Sequence, residues 1–84
     1  MYLKVTRNDG AVASYEVTPA VEYAFEQTFK KSWEKAFREE EKRSDLYWVV
    51  WECVRRSGET VKPFGMEFVE SIKSVEIEFQ DPNG

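Results

Sequence analysis

Tyr2-Leu3-Lys4-Val5-Thr6-Arg7-Asn8-Asp9-Gly10-Ala11-Val12-Ala13-Ser14-Tyr15-Glu16-Val17 is the stretch whose reading decides the fold. Two runs of strand-forming residues, Tyr2–Arg7 and Ala11–Val17, flank the turn triplet Asn8-Asp9-Gly10. A three-residue hairpin connection places a type I turn over Asn8 and Asp9, with Gly10 as a left-handed bulge. This connection sets Arg7 opposite Ala11, Val5 opposite Ala13 and Leu3 opposite Tyr15. One face then carries Leu3, Val5, Ala13, Tyr15 and Val17. The other pairs Lys4 with Ser14 and Tyr2 with Glu16. An apolar face and a mostly polar face from one register are what a half-buried antiparallel pair requires.

Immediately after the hairpin, Thr18-Pro19 opens a helix. Thr18 stands at the N-cap, Pro19 at the first helical position, and Glu22 near the positive end of the dipole. Val21, Phe25 and Phe29 follow at four-residue spacing, beside Ala24 and Thr28. If the helix ran on, the stripe would sweep round to Trp33 and Phe37. It therefore either bends, remaining one helix over 19–43, or stops near Lys30 and restarts with Ser32 as a new cap, and we favour the break. Arg38–Arg43 holds no apolar residue and reads as a frayed end or loop.

Further along, Ser44 caps a helix over Leu46–Arg56, with Asp45 on the dipole. Leu46, Val50, Cys53 and Val54 share one side, flanked by Tyr47, Val49 and Trp51, so this helix is central. Ser57-Gly58 ends it, with Arg55 and Arg56 on its negative pole. Glu59–Pro63 is extended, and Phe64–Lys73 reads as a short helix carrying Phe64, Phe68 and Ile72. Ser74–Phe79 alternates strictly and forms a third strand. Residues 81–84 form a disordered tail.

The expected class is α+β, one domain over residues 1–80. The hairpin and the C-terminal strand form a three-stranded sheet, with three to four helices packed on one face. The last strand lies beside the first, and the long helical crossover permits a parallel arrangement.

Composition narrows the chemistry. At 84 residues, such a chain buries only about 60–65% of its unfolded surface, leaving little room for an enclosed cleft. Three Trp, four Tyr and six Phe are available to fill the interior. Histidine is absent, which removes the commonest general base at neutral pH and the commonest metal ligand. Net charge is −4, and Lys35, Arg38, Lys42 and Arg43 are interspersed with Glu39–Glu41, which argues against nucleic acid. No apolar run reaches the roughly 20 residues of a membrane span, and Met1–Arg7 lacks a signal-peptide core, so the chain is expected in the cytoplasm.

Individual candidates for chemistry resolve into structural readings. Successive glutamates at 39–41 point about 100° apart on a helix and cannot converge on one ion. Asn8-Asp9-Gly10 is too short for a calcium loop. Cys53, the one cysteine, lies among valines with no base to lower its pKa and reads as a core thiol. Glu52 and Arg56 read as an i,i+4 surface pair. No catalytic, cofactor-binding or metal-binding residue is expected, and the chain is not expected to be an enzyme. Aromatic surface remains. Trp48 falls on the helix side shared with Glu52 and Arg55. Either the Phe64–Phe68 segment folds back over it, or Trp48, Arg55 and Tyr23 form a contact patch, since Trp, Tyr and Arg dominate binding hot spots. Trp33 and Phe64 complete the candidate interaction residues.

The stretch Asp45-Leu46-Tyr47-Trp48-Val49-Val50-Trp51-Glu52-Cys53-Val54-Arg55-Arg56-Ser57-Gly58, followed by Pro63-Phe64 and Val75-Glu76-Ile77, resembles tail assembly chaperones of long-tailed (siphovirus-type) phages. In that family a hairpin leads into Thr-Pro and an apolar helix ending in Phe. A Leu-Tyr-Trp helix ending Arg-Arg-x-Gly then precedes a Pro-Phe turn and a final strand. The same order runs here through Thr18-Pro19, Phe25, Phe29, Leu46, Trp51, Arg55, Gly58 and Pro63-Phe64, spanning nearly the whole chain. One departure stands out: the family often has Gly after the first helix, where this chain has Lys30-Lys31. The resemblance implies a transient factor that coats the tape measure protein and helps recruit tail-tube subunits. Self-association into a homo-oligomer is left open.

Overall fold

The computed structural model describes residues 1–78. Its chain order is β1 (Tyr2–Arg7), β2 (Val12–Glu16), α1 (Pro19–Phe29), one turn of π-helix (Lys35–Glu40), α2 (Arg43–Arg56), α3 (Met66–Glu70) and β3 (Ile72–Glu78). The expected Phe79 end of the third strand and the tail at 81–84 lie outside the described residues.

The hairpin forms in the expected register, with Leu3 opposite Tyr15, Val5 opposite Ala13 and Lys4 opposite Ser14. Its turn closes through Gly10 N–H to Arg7 O at 2.9 Å and Arg7 N–H to Ala11 O at 2.8 Å. Gly10 has φ 92°, a left-handed conformation that a Cβ would strain. Asp9 Oδ1 accepts the Ala11 N–H at 2.9 Å, which fixes the turn from its own side chain.

Strand order in the sheet is β2-β1-β3, so the first strand is central. β3 lies beside β1 as expected but runs antiparallel to it, with Val5 opposite Val75 and Leu3 opposite Ile77. The reason is where α3 delivers the chain. The Asn8 N–H donates to Ser71 O at 3.1 Å, and the Asn8 amide donates to Glu70 O, so β3 is entered beside the hairpin turn and must run back. The strand begins at Ile72, two residues earlier than expected, and the helix before it shrinks to Met66–Glu70. Ser71 caps that helix by donating both its N–H and its hydroxyl to Phe68 O. Pairing then slips between Thr6 and Arg7, so Ser74 faces Thr6 while Ile72 faces Arg7.

Leu3, Val5 and Val75 point from the sheet into the core, where Val21, Phe25, Leu46, Val49, Val50 and Val54 meet them. Each fully buried side chain of this size contributes about 1.5–3 kcal/mol relative to remaining exposed. Polar residues Lys4, Ser14 and Glu76 take the opposite face. α1 starts as its sequence requires, with the Val21 N–H donating to Thr18 Oγ1 at 3.4 Å. It ends where the break was expected: Lys30 has φ 55° and donates its N–H to Glu26 O at 2.9 Å. Lysine thus occupies the left-handed position that glycine favours. Ser32 Oγ caps the restart by accepting the Lys35 N–H at 3.3 Å. The restart yields only a π-turn, closed by Glu41 N–H to Ala36 O at 2.8 Å, and Glu41 is again left-handed.

Two expectations about α2 are corrected. The helix begins at Arg43, with Lys42 at its N-cap and no side-chain cap, rather than with Ser44 as cap. Asp45 stands in the first turn as expected, where it is buried and its Oδ2 accepts a hydrogen bond from Lys31 Nζ at 2.7 Å. Glu52 is 3% exposed rather than on the surface. Its two oxygens accept from Arg55 Nε at 2.8 Å and Arg56 Nε at 3.1 Å, which satisfies a carboxylate that burial would otherwise penalise.

Candidate protein-interaction surface

Aromatic rings from four parts of the chain meet in one continuous series. Phe37 touches Trp33 with ring centroids 4.2 Å apart, and both touch Phe25. Phe25 meets Phe29 at 4.8 Å, and Phe29 meets Trp48 edge-on at 5.4 Å. Trp48 then meets Trp51 at 6.0 Å, Trp51 meets Phe64 at 6.1 Å, and Phe64 meets Phe68 at 6.4 Å. These tilted and edge-on geometries suit the ring quadrupole and add about 0.5–1.5 kcal/mol per pair beyond burial.

The series is anchored inside and open outside. Phe25 and Phe68 are buried, whereas Phe29 is 36% and Phe64 37% exposed. Trp33, Phe37 and Trp51 are half-buried. Trp51 is held rigidly: its Nε1–H donates to Lys62 O at 2.8 Å, and the Arg55 guanidinium lies 5.7 Å over its ring. The Arg55 head is in turn fixed by Glu52. Burial pushes the Glu52 carboxyl up, but hydrogen bonds and charge from Arg55 and Arg56 more than offset this and hold it below the usual range. A rigid, half-exposed Trp–Arg–Phe group is the make-up of a binding hot spot.

Of the candidates read from sequence, Arg55 and Phe64 come together on Trp51. Trp48 is only 8% exposed and lies beneath this group. The rings that meet it are Phe25 and Phe29 of α1 and Trp51, while Phe64 reaches Trp51. Trp33 joins the far end of the series through Phe25. Tyr23, 67% exposed on α1, takes part in none of the ring contacts among the described residues. Phe29, Phe37 and Trp51 were not singled out. Phe29 carried a signal, because an apolar stripe that reaches the last position of a helix surfaces there.

Beyond Phe37 the surface continues into two adjoining hollows of about 280 and 220 Å³, which share Phe37 and the exposed Ile77. Leu46 floors the first, and charges of both signs, Lys42 and Glu41, rim it. Cys53 is enclosed against β2, its Sγ 3.9 Å from Glu16 O, and burial pushes its thiol up to about 11. Among the described residues no group of three or more His, Cys, Asp or Glu is placed to hold a metal. No helix among them is long and apolar enough to cross a membrane. Comparison with protein-family models, with curated proteins and with solved structures finds no match to this chain.

Proposed function

We propose that this chain is a non-enzymatic tail assembly chaperone of a long-tailed phage. It acts in the host cytoplasm, binding the tape measure protein before the tail tube encloses it and assisting assembly of the tube subunits. The observation that carries the reading is the half-open aromatic series, with Phe29, Trp51 and Phe64 presented outward from a buried base. Family-like order of the hairpin, the Thr18-Pro19 start, the Trp48–Trp51 helix and the Pro63-Phe64 turn supports the same role.

The physical fit is direct. A tape measure protein is long, helical and apolar until it is enclosed, and an aromatic ridge accepts the apolar face of such a helix. A patch of three partly exposed rings gives a weak single contact. Many copies along one long helix convert weak contacts into stable coverage, yet each copy can still leave when the tube arrives. The chain's net charge of −4 keeps the coated complex soluble.

Co-expression tests the reading. With this chain present, the tape measure protein encoded alongside it shifts from the insoluble to the soluble fraction, and the two copurify. A tape measure protein equally insoluble in its presence overturns the proposal. Recovery of this chain at fixed stoichiometry in finished tails would make it a structural component instead.

A further inference from the structure

The segment between α1 and α2 is built unlike the rest of the chain. Both of its ends are non-glycine residues in the left-handed region, Lys30 at φ 55° and Glu41 at φ 52°. Between them lies the π-turn Lys35–Glu40, a rare geometry that occurs mostly as single turns and frequently at functional sites. Among the described residues no backbone–backbone hydrogen bond ties Lys31–Glu40 to the sheet or to α2.

Side chains alone fasten it. Lys31 Nζ bridges Asp45 Oδ2 at 2.7 Å and Glu40 Oε1 at 2.8 Å, the first of these reaching a buried carboxylate on α2. The Trp33 N–H donates to Glu26 Oε2 at 2.8 Å. Ala36 is fully enclosed, and Trp33 and Phe37 both lie on the Phe25 ring. Removing the segment would strip one side of Phe25 and expose Leu46, while the strand ladders and the remainder of α2 would keep all their backbone hydrogen bonds.

We propose that Lys31–Glu40 is a hinged strap, turning about Lys30 and Glu41 and latched by the Lys31–Asp45 pair, that opens as a unit while the sheet stays folded. In the closed form Trp33 and Phe37 occupy the apolar site on Phe25. An amphipathic helix of a partner displaces them and takes their place, which lengthens the aromatic ridge inward from Phe29. The identity of that helix rests on the proposed chaperone role; the opening itself does not. Strained residues bracketing a side-chain-fastened turn are the arrangement expected of a low-stability unit.

Hydrogen exchange followed by mass spectrometry tests this on the intact chain. In the unmutated protein, amides of 31–40 exchange through an opening at least roughly tenfold more populated than that governing β1. Asp45→Asn weakens the latch and speeds the strap a further several-fold, leaving β1 within about twofold. Strap and β1 amides exchanging at one common opening frequency would overturn the proposal, as would Asp45→Asn accelerating both equally. Adding the tape measure protein protects Phe25 and its neighbours in α1 but not the strap. Absence of any protection there counts against the chaperone reading alone, and protection of the strap counts against displacement.

Discussion

Replacing Trp48 by alanine distinguishes a side chain that builds the surface from one that belongs to it. Trp48 is 8% exposed and meets Phe25, Phe29 and Trp51 at centroid distances of 6.0, 5.4 and 6.0 Å. Truncating such a ring leaves a cavity between α1 and α2 and costs about 3–5 kcal/mol. A chain of 84 residues has a total stability of roughly 4–13 kcal/mol, so the variant loses at least about a fifth of it. At about 4–8 °C per kcal/mol for this size, the melting temperature falls by at least about 12 °C. Urea unfolding followed by far-ultraviolet circular dichroism reads the change without relying on the lost tryptophan. The midpoint should drop while the slope stays constant. Tyr23→Ala serves as the exposed control and should stay within about 0.5 kcal/mol. A loss below about 1 kcal/mol for Trp48→Ala would refute the packing account.

Three further outcomes follow from particular groups. Lys30→Gly relieves a left-handed lysine and should raise stability by about 0.5–1 kcal/mol in the same urea titration. Cys53, with its thiol pushed up to about 11, should resist iodoacetamide at pH 8 in the native chain and react at once in denaturant. The Glu52 carboxyl is held below its usual range by Arg55 and Arg56. Its pairing therefore stabilises the fold above the unfolded value near 4.3 and is lost as pH falls through the lower folded value. Thermal melts should thus decline on acidification below about pH 4.5, and Glu52→Gln should flatten part of that decline. Glu40, lowered beside Lys31, accounts for another part.

How much of this was legible in the sequence depended on whether the deciding information was local. The hairpin register was legible because Asn8-Asp9-Gly10 and the alternation of Leu3 and Val5 each demand the same pairing. The break near Lys30 was legible because a continuous helix would have carried Trp33 and Phe37 off the Val21–Phe25 stripe. The direction of β3 was not. It depends on where α3 releases the chain, a matter of three-dimensional reach from Asn8 to Ser71. Trp48 was misplaced for a related reason: a helix that is nearly apolar all round does not reveal which side its neighbour α1 will cover. Glu52 looked exposed because its spacing to Arg56 is that of an ordinary surface pair, and only the packing around α2 buries it. Of the aromatic ridge, Phe64 and the neighbouring Arg55 were named from sequence, whereas their convergence on Trp51 belongs to tertiary structure.

The claim on which the account turns is that the exposed aromatic ridge is where a partner binds. Calorimetric titration of the tape measure protein, held soluble as a fragment, against wild-type chain and Phe64→Ser measures it most directly. Phe64 is 37% exposed toward the outer end of the ridge, so the variant should stay folded, with a lowered melting temperature, while binding weakens by roughly tenfold or more. Undiminished affinity in a folded Phe64→Ser variant would contradict the account.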